Sequence, residues 1–202
     1  MKPDIQIFEV DESLLEKGIE EMLPLVSEQR RRQAMSFRFP FGRFASLKSY
    51  CMLSDMTGLR NFEFGYGAHG KPSIIGRPDI HFSISHCRKA IAVAVSDFPV
   101  GIDIECERRI DDALIRHTMN EAERAVIEAD ANPVMEFLRL WTRKEAVLKL
   151  RGTGITDDLF SVLSGPEIVT TSGKSDYVWS VARFGLPRSA GWVETEDRTY
   201  LA

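Results

Sequence analysis

The alternation of apolar with small or acidic residues in Val100-Gly101-Ile102-Asp103-Ile104-Glu105 constrains the fold more than any other stretch of this chain. A strand turns successive side chains to opposite faces, so Val100, Ile102 and Ile104 share one face and Gly101, Asp103 and Glu105 the other. Two acids side by side invite a cation. Further along, Val134 to Leu150 places Val134, Phe137, Leu138, Trp141 and Leu148 at helical spacing, with Glu145 on the same stripe and Lys149 one turn beyond it. A carboxylate turned toward a core needs a partner, because an unpaired buried charge is costly. A helix laid over the polar face of the strand therefore brings three carboxylates together, and oxygen-rich sites suit hard cations such as Mg²⁺. Taken singly, the same residues also fit a solvated strand edge and an exposed helical ion pair.

The remaining elements follow from periodicity and punctuation. Ile5 to Val10 reads as a strand, Pro24 to Met35 and Phe44 to Met56 as helices, and Ile80 to Ser85 and Ile91 to Val95 as strands. Asn120 is an N-cap with Glu123 at the capping-box position, opening a helix through Ala129; Asn132-Pro133 starts the long helix and Gly152 stops it. Phe160 to Leu163, Glu167 to Thr171, Tyr177 to Phe184 and Trp192 to Thr195 read as closing strands. Helices and antiparallel strands in blocks mean an α+β fold.

With 202 residues, 44% of them hydrophobic, the chain is long enough for a substantial core, as one large domain or two small ones. A formal charge of −4 supplies no global basic field, so no nucleic-acid partner is expected. No apolar run reaches the ~20 residues that span a bilayer, so no membrane role is expected either. Cys51, Cys87 and Cys106 lack CxxC spacing, and the N-terminus does not read as a signal peptide, so the expectation is a cytoplasmic protein with reduced thiols. His69, His81 and His117 show no zinc-like spacing, and Gly65-Tyr66-Gly67 is too short for a dinucleotide loop.

The stretch Gly101-Ile102-Asp103-Ile104-Glu105 followed by Trp141-Thr142-Arg143-Lys144-Glu145-Ala146-Val147-Leu148-Lys149 resembles the signature pair of phosphopantetheinyl transferases, most closely the longer, surfactin-synthetase-activating type. Gly70-Lys71-Pro72, Ile80-His81-Phe82-Ser83-Ile84-Ser85-His86 and Phe98-Pro99-Val100-Gly101 follow in the family's order, and several motifs in order are more specific than any one. A weaker resemblance extends from Glu28 to the region of Val162. It implies two pseudo-symmetric halves meeting near Pro99, each a helix packed on a small antiparallel sheet, with the active site between them. Residues 1–99 would supply coenzyme A phosphate and adenine contacts, and residues 100–202 the metal-binding carboxylates and catalytic helix, in a monomer with pseudo-dimeric halves.

The activity implied is Mg²⁺-dependent transfer, with Mn²⁺ as an alternative, of the 4′-phosphopantetheine arm of coenzyme A to a serine of an apo acyl- or peptidyl-carrier protein, releasing adenosine 3′,5′-bisphosphate. On the resemblance, Asp103, Glu105 and Glu145 are the metal ligands; Glu105 is the one whose direct ligation varies among relatives. Glu145, or a metal-bound water beside it, would take the serine proton, and Lys149 would neutralise charge on the leaving phosphate. Lys71, Ser85, His86, Asp103 and Lys149 would contact coenzyme A, with Arg32 and Arg43 near the 3′-phosphate and adenine, where a planar guanidinium grips phosphate well. Ser83 departs from the family pattern, in which asparagine is common at this position, and is expected to alter local hydrogen bonding without abolishing activity. Arg108, Arg109 and Arg116, beside Ile110, Leu114, Ile115 and Met119, form the expected docking surface for an acidic carrier protein, the alternative being an ordinary amphipathic helix with its arginines in water. Two other readings stay open: a different metal-dependent phosphoryl or nucleotidyl enzyme, and a catalytically silent coenzyme A-binding module.

Overall fold

In a computed structural model that describes residues 2–155 and 158–185, helices and antiparallel strands alternate in blocks. Strand β1 (Asp4–Glu9) leads through α1 (Leu15–Met22) and α2 (Glu28–Ser36) to the long α3 (Pro40–Thr57). Short strands β2 (Phe64–Tyr66) and β3 (Pro72–Ile74) precede β4 (His81–Cys87), β5 (Ala90–Ser96) and β6 (Val100–Cys106). Helices α4 (Asp112–Thr118), α5 (Glu121–Ala129) and α6 (Pro133–Arg151) come next, and β7 (Glu167–Gly173) and β8 (Tyr177–Phe184) close the described chain.

The helix boundaries are where the local chemistry puts them. The Asn120 side chain accepts from the Glu123 amide while Glu123 accepts from the Asn120 amide, so the capping box opening α5 is complete. Pro133 fills the first position of α6, where its missing N–H is no loss, and Gly152 at φ 69° ends the helix in the left-handed region that glycine enters freely.

Two three-stranded antiparallel sheets, ordered β1-β5-β4 and β6-β8-β7, form the centre, with β2 and β3 paired separately. Alternation decides what each face meets. Phe82, Ile91 and Val93 join Phe44, Leu47 and Leu53 of α3 in one core, while Ala90, Ala92 and Ala94 on the other face of β5 pack with Val100, Ile102, Ile104 and Val181. Small alanines on one sheet and branched side chains on the other let the two sheets meet face to face. On its far side the second sheet is covered by α6, through Phe137 and Leu138 near Val178 and through Val147 and Leu150 near Ala182.

Several expectations are corrected. The helix expected over Pro24–Met35 is a 3₁₀ turn at Leu23–Leu25 followed by α2, because Pro24 tolerates only a first turn and Ser27 accepts from the Arg30 amide to cap a new helix. The segment Phe160–Leu163 is not a strand; Ser161 bonds back to Asp158 and the chain curls into a 3₁₀ turn at Val162–Ser164. Helix α1 and strands β2 and β3 escaped the sequence reading, the strands being only three residues long and α1 carrying Gly18 in its interior, while α4 is a helix in the stretch where an amphipathic helix stood as the alternative. That glycine lets Phe44 close in, since a Cβ there would lie 2.5 Å from the ring. The expected strand at Trp192–Thr195 lies outside the described residues. No helix among the described residues is long and apolar enough to cross a membrane.

Candidate active site

The polar face of β6 is the face that α6 covers. A Cβ at Gly101 would stand 2.0 Å from the Ala146 carbonyl oxygen and 2.5 Å from the Leu150 amide, so the helix backbone occupies the space a side chain would need. This close approach sets Asp103 under the last turns of α6. Lys149 Nζ donates to Asp103 Oδ1 at 2.6 Å and to Ser85 Oγ at 2.9 Å, and Ser85 Oγ donates to the same Asp103 oxygen at 2.7 Å. Asp103 is only 5% exposed and Ser85 8%, which strengthens these charge-assisted bonds relative to water. Strands β4 and β6 and helix α6, from both parts of the chain, thus converge on one carboxylate.

The second oxygen of that carboxylate, Oδ2, is buried and has no hydrogen-bond partner among the described residues. A buried carboxylate oxygen without a donor is a costly arrangement, and a hard cation is one partner that would resolve it. Glu105 projects from the same face of β6 and lies 3.7 Å from Arg108. Burial, then the neighbouring Asp103, raises its pKa, with Arg108 and Lys149 opposing. Glu145 responds alike: burial first and Asp103 second raise its pKa, Lys149 opposes, and Glu105 adds to the rise. The three carboxylates therefore share one field. They do not form a tight cluster, since among the described residues no three His, Cys, Asp or Glu side chains stand close enough to hold one metal ion. Asp103 pairs with Lys149 and Glu105 with Arg108, which holds these two like charges toward separate cations.

Glu145 and Lys149 open onto a cavity of about 330 Å³ lined also by Lys71, Pro72, Phe82, Ile84, Leu148 and Ile155. Apolar side chains share the lining with Lys71, Glu145, Lys149, Ser83 and His69, the mixed composition of a small-molecule site. Glu145 and Lys149, four residues apart and half-buried, line the cavity, whereas Trp141, one turn before Glu145, packs against the core.

The other expected contacts are distributed unevenly. Lys71 donates to the carbonyls of Leu150 at 3.1 Å and Val100 at 3.3 Å, and burial lowers its pKa. It sits at the C-terminal end of α6, where a cation is favoured by the helix dipole. His86 lies on the opposite face of β4 from Ser85, exposed at its rim with its ring edge-on to Phe41 at 5.6 Å. Surrounding protein, then Lys149, lowers its pKa. Of the arginine triplet, Arg30 is core: 8% exposed, its guanidinium 4.3 Å from the Phe64 ring and donating to Ser46. Arg32 is exposed and paired with Glu28 at 2.9 Å, and Arg43 donates to the Phe37 carbonyl. Arg109 and Arg116 are exposed, Met119 is fully buried, and Ile110, Leu114 and Ile115 are half-buried against the adjoining core.

Lys144 was missed. It is completely buried, and its ammonium donates to Glu123 at 2.6 Å and to the carbonyls of Thr118 and Leu159 at 2.8 Å each, satisfying all three donors. Its spacing of four from Leu140 and three from Val147, both buried, is the signal that could have found it.

Comparison with known proteins gives a consistent result. The family model of the 4′-phosphopantetheinyl transferase superfamily matches residues 99–195. The chain is 31% identical over 165 residues to the 4′-phosphopantetheinyl transferase psf-1 of Bacillus pumilus, covering 78% of this chain and 71% of that protein. It is 25% identical over 163 residues to the 4′-phosphopantetheinyl transferase Sfp of Bacillus subtilis strain 168, covering 76% and 73%. With the 4′-phosphopantetheinyl transferase gsp of Aneurinibacillus migulanus it shares 37% identity over 97 residues, covering 47% of this chain and 40% of that protein.

Proposed function

Since the chain belongs to the 4′-phosphopantetheinyl transferases, in their longer, surfactin-synthetase-activating type, we propose that it transfers the 4′-phosphopantetheine arm of coenzyme A to a serine of an apo acyl- or peptidyl-carrier protein, releasing adenosine 3′,5′-bisphosphate. The observation that carries this reading is the buried junction of Asp103, Ser85 and Lys149 beside Glu145, at the mouth of the cavity.

The reaction breaks a pyrophosphate bond, so it needs cationic donors where negative charge builds up. Lys149 is already held by Asp103 and Ser85, so its ammonium meets the leaving phosphate without reorganising. Glu145, with its pKa raised by burial and Asp103, is a better proton acceptor near neutral pH than an ordinary glutamate, and takes the proton of the attacking serine. Asp103, through its unpartnered Oδ2, with Glu145 and Glu105, would hold Mg²⁺ or Mn²⁺. A divalent cation bound there supplies charge neutralisation on the pyrophosphate oxygens. Ser85 orients Asp103 and Lys149. Lys71, in the cavity lining, and His86, Arg43 and Arg32, which are not part of that lining, are assigned to the nucleotide. Lys71 spends two of its three ammonium donors on backbone carbonyls, which leaves the third for a phosphate.

We assign residues 1–99 and 100–202 to two pseudo-symmetric halves, a reading supported by the shared strand order: in each sheet the first strand pairs with the third, and the third with the second. The free thiols of Cys51, Cys87 and Cys106 fit a cytoplasmic site of action.

The test is incubation of the protein with coenzyme A, Mg²⁺ and a panel of apo carrier proteins, with the carrier weighed by mass spectrometry. Wild type gives the mass gain of one phosphopantetheine arm, and Asp103→Asn gives none while remaining folded. Turnover of coenzyme A without a carrier would favour another phosphoryl or nucleotidyl enzyme, and coenzyme A binding without product a silent binding module.

A further inference from the structure

The two sheets present facing edges, β4 and β6, that are not joined by a backbone ladder. In an antiparallel strand the N–H and C=O of one residue point to the same side. Ile102 donates its amide away from β8, so the backbone groups of Val100, Ile102 and Ile104 face the first half of the chain. An edge of this kind leaves polar groups that must find partners once buried. Side chains of the first half supply them. Lys71 Nζ donates to the Val100 carbonyl, and Ser83 Oγ, 5% exposed, accepts from the Ile102 amide at 3.0 Å. Two residues past Ser83 on β4, Ser85 bonds Asp103, the residue after Ile102.

Resting on the transferase reading, we propose that Ser83 is a positioning residue: its hydroxyl stitches β6 onto β4 one residue before Asp103, and so sets where that carboxylate stands relative to Ser85 and Lys149. Ser83 also lines the cavity, and among the described residues its side-chain hydrogen bond is to the Ile102 amide, not to Asp103. Its hydroxyl fixes the peptide from which Asp103 hangs, while Ser85 and Lys149 grip the carboxylate itself, so backbone and side chain of the same short segment are held from different directions. Without the hydroxyl, the Ile102 amide loses its acceptor in a buried setting, and the strand edge shifts to find another.

The test compares Ser83→Ala and Ser83→Thr with a matched control, Ser54→Ala. Ser54 is equally buried at 6% exposed and loses a hydroxyl bond to the Leu59 carbonyl, far along α3. Expected for Ser83→Ala is a fall in kcat of about tenfold or more with little change in KM for coenzyme A, the signature of misplaced reacting groups. Ser83→Thr, which keeps the hydroxyl, returns kcat to within about threefold of wild type. Ser54→Ala loses stability without losing kcat. Hydrogen exchange of the peptide covering Val100–Cys106 is read alongside, and should accelerate in Ser83→Ala only. Wild-type kcat in Ser83→Ala, or a loss that Ser83→Thr leaves unrepaired, overturns the proposal. If Ser83→Ala does not fold, Ser83→Cys, of similar size but a weak acceptor, takes its place with the same expected outcomes. If wild type itself shows no transfer, the functional reading falls; the exchange of Val100–Cys106 then decides the positioning claim, acceleration in Ser83→Ala alone supporting it and unchanged exchange overturning it.

Discussion

Replacing Gly101 with alanine tests the junction between strand and catalytic helix. The substituted methyl would lie 2.0 Å from the Ala146 carbonyl oxygen and 2.5 Å from the Leu150 amide nitrogen, both backbone atoms. These two are acceptor and donor of one helical turn, so the methyl is driven into an i→i−4 hydrogen bond of α6. A carbon–oxygen contact needs about 3.3 Å, so the helix must retreat by about 1 Å or the turn must open. Overpacking of this kind costs about 1–3 kcal/mol, and loss of the helical bond about 1 kcal/mol more. The entropic advantage of alanine over glycine in a strand returns about 0.5–1 kcal/mol. The net loss is about 1–3.5 kcal/mol, which for a chain of this size is a fall in Tm of about 2–14 °C. Because Glu145 and Lys149 ride on the displaced turns, a shift of about 1 Å should also lower kcat by about 10²-fold. Thermal unfolding followed by circular dichroism and carrier modification followed by mass spectrometry read the two effects. A variant melting within about 2 °C of wild type, with unchanged kcat, would refute the packing of α6 on β6 described above.

Lys144→Ala, which strands the buried Glu123 carboxylate, should destabilise by about 3–5 kcal/mol in urea unfolding, whereas Lys149→Ala should cost far less stability and remove about 10²-fold or more of kcat. The Glu167 carboxylate is held below its usual pKa chiefly by Arg151, with Nε and Nη2 bonds of 2.6 and 2.9 Å. Its contribution is therefore present above the ordinary carboxylate pKa and lost as pH falls through the lowered one, so the Tm gap between wild type and Glu167→Gln should be open at pH 7 and close in acid. Arg109→Glu with Arg116→Glu should raise KM for an acidic carrier protein, more at low salt, leaving coenzyme A binding intact; equal efficiency at low ionic strength would place the docking surface elsewhere.

What the sequence makes legible is what repeats along one element. The alternation from Val100 to Glu105 names both faces of β6, and the spacing of Glu145 and Lys149 names the side of α6 that borders the cavity. What it hides is pairing between distant segments: that Ser83 meets Ile102, that Ser85 meets Asp103, or that Lys71 is spent on carbonyls. The two lysines of α6 show why. They are five residues apart, which turns them about 140° from each other around the helix. One points into a sealed pocket whose acceptors come from Thr118, Glu123 and Leu159, and the other to the rim where Asp103 and Ser85 wait. A helix buried on nearly every side has little amphipathic contrast to separate these roles. The distinction lies in what surrounds each ammonium: Lys144 has three fixed acceptors and no access to solvent, so it can only hold the fold. Lys149 keeps 31% of its side chain exposed beside the cavity, so an incoming phosphate can take the place of water without breaking the core.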